Sequence, residues 1–356
     1  MAKISIRNFS ETDLSGYLEL SQIEYGETVS SDSDHIRWKH LNSELGTSLY
    51  VNLGESQRVI GRALIQPRNL HTSLRNYKVG QVMDLLIHKA HRTSPANFIN
   101  LTKACGNIED FDLIFHTSNE RSFSLYSQLF QFPNPFSLNA YGFPVRLAGI
   151  FSSFIGRRVN LIDVFTAPFR WFFLAMSYAV NSVVRLEVSE NSMSDDEIET
   201  LCAKCLRNLG SHLTRSNAFL NWRFRDTPVW PAVISRVDRK GQFLGYIVTR
   251  KVLLDGRSHF VLMDFILDPG VNYYTCLSLR LWLIRKAILS RSDVFFTMAN
   301  PLSNIASKCI GFPFINIPEK LLPHATPIFM RARKEDSEQL ESDRSIHLTL
   351  ADLDYF

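Results

Sequence analysis

A strand-like apolar run that ends in a cluster of basic residues is where this sequence first offers chemistry. In "DLLIHKAHRTSPANF" (84–98), His88, Lys89, His91 and Arg92 close the run, and a helix-like segment opens at Ser94 and Pro95. A helix start exposes backbone N–H groups and a partial positive charge, which suits an anion; Pro95 brings no N–H of its own. The same pattern also describes an ordinary capped helix beside a basic loop. Asp84 stands at the head of this run, in an otherwise apolar strand. An acid placed there invites a raised pKa and a proton-transfer role, or a structural role bonding backbone amides. His88 and His116 are alternative bases, and each suits a polar strand end equally well.

Stepping out from these residues, the chain says much of this twice. "DLIFHTSNERSFSLYSQLFQFP" (112–133) returns as "DVFFTMANPLSNIASKCIGFP" (293–313). Gly26 and Gly210, Trp38 and Trp222, and Gly61 and Gly245 are each 184 apart; Met83-Asp84 and Met263-Asp264 are 180 apart; Asn119 and Asn300, and Ser122 and Ser303, are 181 apart. Several pairs in one order at nearly one offset read as two copies of one unit. The boundaries are 1–146 and 188–334, joined by an apolar helical connector at 147–187 and followed by a polar tail, 335–356, whose end has enough apolar residues to dock. Within a unit the order is helix, antiparallel strands, long strand, helix, strand, helix, strand. Ser10 suits an N-cap and Gly26 a helix stop; Ser94 caps and Pro95 fits the first turn of the next helix, which ends at Gly106. Asn119 suits the cap of "ERSFSLYSQL", with Ser122 at N3. The fold class is α/β, with mixed sheets.

The 356 residues, with 45% hydrophobic and 21% charged, describe a soluble globular chain of two domains. A net charge of +4 singles out neither nucleic acid nor membrane. Five scattered cysteines suggest no disulfide framework, and the N-terminal residues lack a secretory apolar core, so a cytoplasmic location is expected. Cys202-x-x-Cys205 lacks the further ligands that zinc needs, so no metal is expected. Trp38 and Trp222 are packing anchors or a stacking surface for substrate. The connector "LIDVFTAPFRWFFLAMSYAVNSVV" (161–184) has an uncharged run from Trp171 to Val184, short of the roughly 20 residues of a spanning helix. It is either a buried helix or one that touches a membrane peripherally.

The element order, "DLLIHKAHR" before a helix, and "FHTSNERSFSLYSQLF" resemble the GNAT superfamily of N-acyltransferases, over both copies and so most of the chain. The resemblance implies two tandem GNAT-like units, the first holding acyl-CoA (acetyl-CoA or another) as co-substrate at Arg92, Thr93, Ser94, Ala96, Asn97 and Asn119. Tyr126 would protonate the leaving thiolate, with Asp84 and His88 as further catalytic candidates; Phe123, Tyr126 and Phe130 are also spaced as one buried helix face. The loop departs from the family's Arg/Gln-x-x-Gly-x-Gly/Ala at Pro95 and Asn97, copy two lacks it, and Ser307 stands at the position of Tyr126 there. The expected activity is acyl transfer to an amine. The acceptor is a small molecule, a sugar nucleotide or cell-envelope precursor, through a softer likeness to cell-surface polysaccharide and peptidoglycan enzymes. No DNA partner is implied. The alternatives are a tandem transferase that uses aminoacyl-tRNA and a non-catalytic scaffold.

Overall fold

The computed structural model describes residues 2–55, 58–118, 120–148, 160–254, 256–318, 326–333 and 335–353. The contacts divide the chain into two units, and neither is a continuous stretch.

Unit 1 comprises Met1–Ser137, Asn221–Pro231 and Thr326–Arg344. Its sheet runs β1 (Lys3–Asn8), β2 (Leu49–Glu55), β3 (Arg58–His71), β4 (Asn76–Ile87), β5 (Leu113–Thr117) and then β14 (Thr326–Ala332). All neighbours are antiparallel except β4 and β5. Helix α1 (Glu11–Tyr25) starts at a Ser10–Asp13 capping box and stops at Gly26, whose φ of 70° favours a residue without Cβ. Its Leu14 and Tyr17 pack with Phe9, Tyr50 and Leu64 on one face of the sheet, along with Ile36 of the short α2 (Ser33–Ile36). Leu101 and Cys105 of α3 (Pro95–Gly106) cover the other face, on Val51, Ala63, Ile65 and Ile114. Ala63 and Ile65 point one way and Leu64 the other, the period of two expected of a strand buried on both sides.

Unit 2 comprises Leu138–Leu220, Ala232–Ala325 and Ser345–Phe356. Before its main strands come β6 (Phe136–Pro144), α5 (Asn160–Val184), β7 (Leu186–Ser189), α6 (Asp195–Asn208), β8 (His212–Leu213) and α7 (Asn217–Phe224). The sheet order is β7, β9 (Val233–Arg239), β10 (Gln242–Leu254), β11 (Arg257–Leu267), β12 (Val294–Ala299), β6. Here only β11 and β12 are parallel. Helix α8 (Tyr273–Leu289) is the counterpart of α3 and α9 (Asn304–Cys309) that of α4 (Glu120–Ser124). The repeated glycine is needed most in this copy. Gly245 has φ of 145°, and a Cβ there would lie 2.1 Å from the Ile266 carbonyl oxygen.

The contact division and the sequence repeat cut the chain at different places. β14 follows all the strands of the second repeat, yet it completes the sheet of unit 1 on β5, pairing Ile328 with Thr117. β6 ends the first repeat, yet it pairs with β12 in unit 2, Phe143 against Phe295, and with the short β13 (Ile315–Asn316). A strand's pattern shows that it will be buried, not which edge it will join. β1 was also not expected, although Ile4 and Ile6 alternate with polar residues; it is an edge strand with every residue exposed.

The repeated tryptophans meet inside unit 1. Their rings stack at 5.2 Å, and each indole N–H donates to the other's backbone carbonyl: Trp38 Nε1 to Trp222 O at 2.9 Å, Trp222 Nε1 to Trp38 O at 3.1 Å. They are packing anchors, and this reciprocity explains why Asn221–Pro231 belongs to unit 1. Trp38→Phe should cost about 1–3 kcal/mol by stranding a buried carbonyl, and Trp222→Ala about 3–5 kcal/mol by also removing the ring. Urea unfolding followed by circular dichroism measures both.

Candidate active site

β4 and β5 pair in parallel for only four residues, Val79–Val82 against Leu113–His116. Beyond that β5 ends at Thr117 while β4 runs on to Ile87. The register of β4 against β3 shifts at the same level, between Arg62 and Leu64, so that Asp84 and Leu85 face Ala63 as a bulge. Asp84 takes a left-handed φ of 50°, a conformation that Asp tolerates better than a branched residue. Where the pairing stops, a cleft of about 510 Å³ opens. β4 contributes Leu85, Leu86 and Ile87; the turn and α3 contribute Arg92, Ser94, Pro95, Phe98 and Ile99; and Leu125 and Leu129 come from the wide helical turn after α4. The lining is apolar apart from Arg92 and Ser94.

The loop into α3 is held from within. Arg92 donates from Nε to the Ile87 carbonyl at 2.8 Å and pairs with Glu24, whose carboxylate is 5% exposed. The other oxygen of Glu24 accepts the Lys89 N–H at 2.6 Å. Asn97 donates to the His91 carbonyl at 2.9 Å. Thr93, Ser94 and Ala96 are exposed at the start of α3, with Ser94 at the N-cap and Pro95 in the first turn. Arg92, Thr93, Ser94, Ala96 and Asn97 therefore do cluster, but an acidic residue already occupies Arg92. Asn119 lies outside the described residues. In the second copy the helix cap is Ser303, whose hydroxyl accepts the Ala306 N–H, rather than Asn300, which bonds the Leu302 N–H and the Ile346 carbonyl.

Asp84 is the centre of a buried polar cluster. Tyr17 donates its hydroxyl to Oδ2 at 2.7 Å, the Lys39 ammonium lies 3.0 and 3.1 Å from the two oxygens, and His40 Nε2 is 2.7 Å from Oδ2. His40 Nδ1 meets Ser48 at 2.9 Å. Burial outweighs the bond to Asp84 and holds His40 down to about 4, so it is neutral at pH 7 and fits the tautomer that donates to Asp84. The Asp84 side chain keeps 12% of its surface. Lys39, His40 and Glu24 were missed from the sequence; the only trace was the basic pair after Trp38 in "WKH".

Unit 2 builds the same kind of hub and seals it. Asp264 receives Arg215 Nε at 2.7 Å, the Tyr246 hydroxyl at 3.0 Å and the Thr349 hydroxyl at 2.8 Å, and Arg215 also binds Asp352 at 2.6 Å. Asp264 has no exposed surface. Ser307, at the position of Tyr126, is exposed and donates to the Asn304 carbonyl. Cys202 and Cys205 each donate to a backbone carbonyl, and no group of ligands that could hold a metal occurs among the described residues.

Tyr126 is brought together with neither Asp84 nor His88. Its ring is buried among Phe98, Phe130, Phe132 and Phe329, 3.8 Å from the His116 ring, and burial pushes its hydroxyl well above the ordinary tyrosine value. It belongs to the core and is absent from the cleft lining. His88 caps the short turn Lys89–His91 through Nδ1 and lines a separate cavity of about 130 Å³ with Gly16, Glu19 and His91.

No family model and no curated protein matches the sequence. Solved structures match in fold. A GCN5-related N-acetyltransferase from Anabaena variabilis gives a TM-score of 0.59 at 11% identity, covering 93% of this chain and 73% of that one. A second, from Kribbella flavida, gives 0.56 at 10%, covering 93% and 71%. N-myristoyltransferase of Saccharomyces cerevisiae with bound myristoyl-CoA and inhibitors gives 0.55 at 10%, covering 93% and 81%. The fold is thus α/β with mixed sheets, in two GNAT-like units.

Three fully buried histidines link this architecture to pH. Burial lowers His40 to about 4, His116 to about 3 and His347 to about 4. The unfolded chain protonates all three near pH 6.5 and the folded chain does not. Their contribution is therefore whole above pH 6.5 and is lost as pH falls toward 4, by about 1.4 kcal/mol per pH unit for each. His116 has no partner at Nε2 and packs among aromatic rings. His116→Phe should flatten the fall of the melting temperature between pH 6.5 and 4; an unchanged slope would contradict the assignment.

Proposed function

We propose that the chain is an N-acyltransferase that takes an acyl group from acyl-CoA and gives it to an amine. The observation that carries this reading is the apolar cleft where β4 and β5 part, with Arg92 and the exposed start of α3 among its lining. The residues fit the donor in two parts. Leu86, Ile87, Phe98, Leu125 and Leu129 offer an apolar wall to an acyl chain and its thioester arm. The first turn of α3 and the guanidinium of Arg92 suit the phosphates, although Pro95 withholds one N–H and Glu24 competes for Arg92.

Acyl transfer from the ammonium form removes two protons from the acceptor nitrogen: one leaves before the nitrogen attacks the thioester carbonyl carbon, and the second goes with the CoA thiolate, which is released as the thiol when the C–S bond breaks. Asp84 is the group we assign to the acceptor. Its carboxylate is held by Lys39, His40 and Tyr17, keeps some exposed surface, and adjoins Leu85 of the cleft. It orients the ammonium form and accepts its proton. His88 faces another cavity and Tyr126 is enclosed, so neither is assigned a step. The acceptor class follows the sequence-level likeness alone: a sugar nucleotide or cell-envelope precursor with a free amine. The Glu24–Arg92 pair favours one rival, a non-catalytic scaffold whose loop is closed on itself.

Calorimetric titration with acetyl-CoA and a long-chain acyl-CoA separates these readings. Longer chains should bind tighter, by about ten-fold for every two methylenes the cleft buries. Arg92→Ala should weaken binding by about ten-fold or more, whereas Glu24→Gln should strengthen it by freeing the guanidinium. No saturable binding to wild type or to Glu24→Gln would sink the donor assignment and leave the scaffold reading. If binding holds, Asp84→Asn should lower turnover by about 100-fold while Tyr126→Phe stays within about two-fold.

A further inference from the structure

Helix α5 buries one side and leaves the other bare. Phe173, Ser177 and Val184 face inward, Phe173 stacking edge-on to Phe143 at 4.8 Å, and Ser278 of α8 donates to Asn181. The opposite side carries Val164, Trp171, Phe172, Tyr178 and Val183, with Trp171 70% and Val183 80% exposed. Positions 164, 171, 172 and 178 fall on one helical face, a stripe roughly 20 Å long at 1.5 Å per residue. A lone exposed aromatic needs no explanation; a continuous stripe does.

We propose that this face of α5 docks on the surface of an anionic lipid bilayer. Three observations select that occupant. The stripe is rich in Trp, Phe and Tyr, the side chains that settle at the boundary between headgroups and acyl chains. The charge beside it has one sign: no Asp or Glu occurs between Val164 and Leu186, nor between Tyr273 and Ser292. Arg285 of α8 lies over the Tyr178 ring at 4.9 Å, Lys286 follows it exposed, and Arg291 and Lys251 are exposed at the end of α8, where Lys251 donates to the Ser290 carbonyl. The acid of α5 itself, Asp163, is already paired with Arg146 and Arg170; Glu187, exposed on β7, is the next acid after the helix. A second copy of the chain fits less well, because a two-fold contact would bring the cationic fringe against itself, with Asp163 of α5 already paired and no acid on α8 to meet it. The helix lies on the bilayer and does not cross it: its inner side is committed to the core, and no helix among the described residues is long and apolar enough to span.

Sedimentation of the full chain with phosphatidylcholine vesicles, with and without phosphatidylglycerol, tests this. The bound fraction should rise at least about ten-fold with the anionic lipid and fall as salt screens it. Trp171→Ser with Phe172→Ser should cut binding by about ten-fold at an unchanged circular dichroism spectrum. Lys286→Glu, in the cationic fringe beside the stripe and exposed, should cut it by a similar factor and leave the fold untouched. The proposal is overturned if anionic and neutral vesicles bind alike, if neither binds, or if light scattering shows a wild-type dimer that the double variant makes monomeric.

Discussion

A carboxylate inside a sheet has to be met by donors, and in this protein that requirement organises each half. Asp84 and Asp264 occupy the same place in the repeat, on the long strand beside the point where parallel pairing stops. An unmatched ionised carboxylate at that depth would cost several kcal/mol. In unit 1 the requirement draws Tyr17, Lys39 and His40 from two helical segments onto β4, and so fixes how the sheet's covering layer lies on it. In unit 2 it draws in Arg215, Tyr246 and Thr349, and Arg215 brings Asp352.

Those two sets of partners were unequally legible in the sequence. The repeat itself was plain, because Trp38 and Trp222, Gly61 and Gly245, and the two Met-Asp pairs recur in order. The caps at Ser10 and Ser94 and the stop at Gly26 were plain too, since they are set by neighbours in the chain. Long-range pairing was not. Glu24 reaches Arg92 across 68 positions and Lys39 reaches Asp84 across 45, and nothing in a single sequence ties such partners. The exchange of β6 and β14 is of the same kind: the repeat's element order ends in a strand, and which partner that strand joins is decided by residues far away in the sequence. Tyr126 illustrates a residue whose spacing admitted two readings, helix face or proton donor; its burial against His116 and Phe329 shows the first.

The two halves differ most in what covers the shared carboxylate. The tail Ile346–Leu353 is buried in unit 2, and its Thr349 hydroxyl sits 2.8 Å from Asp264. Asp268, in the loop leading to α8, accepts the Gly270 N–H at 2.8 Å and is paired with Lys204 at 3.1 Å, so an internal anion already fills that loop. Unit 2 thereby meets the carboxylates of its hub from within. Its hub is fit to hold shape and unfit to receive a ligand.

Unit 1 stops short of that closure. Asp84 is less enclosed than its counterpart, and the neighbouring leucines line an open cleft rather than a packed core. Glu24 imitates an anion at Arg92, but Arg92 is 51% exposed, so water screens the pair and its separation costs little beside the charge-assisted contacts a phosphate can offer. A fully sealed hub and a partly open one, on the same scaffold, differ in the one respect that chemistry needs: access. That difference is one of enclosure: the carboxylate on β4 of unit 1 keeps 12% of its surface, and its counterpart on β11 of unit 2 keeps none.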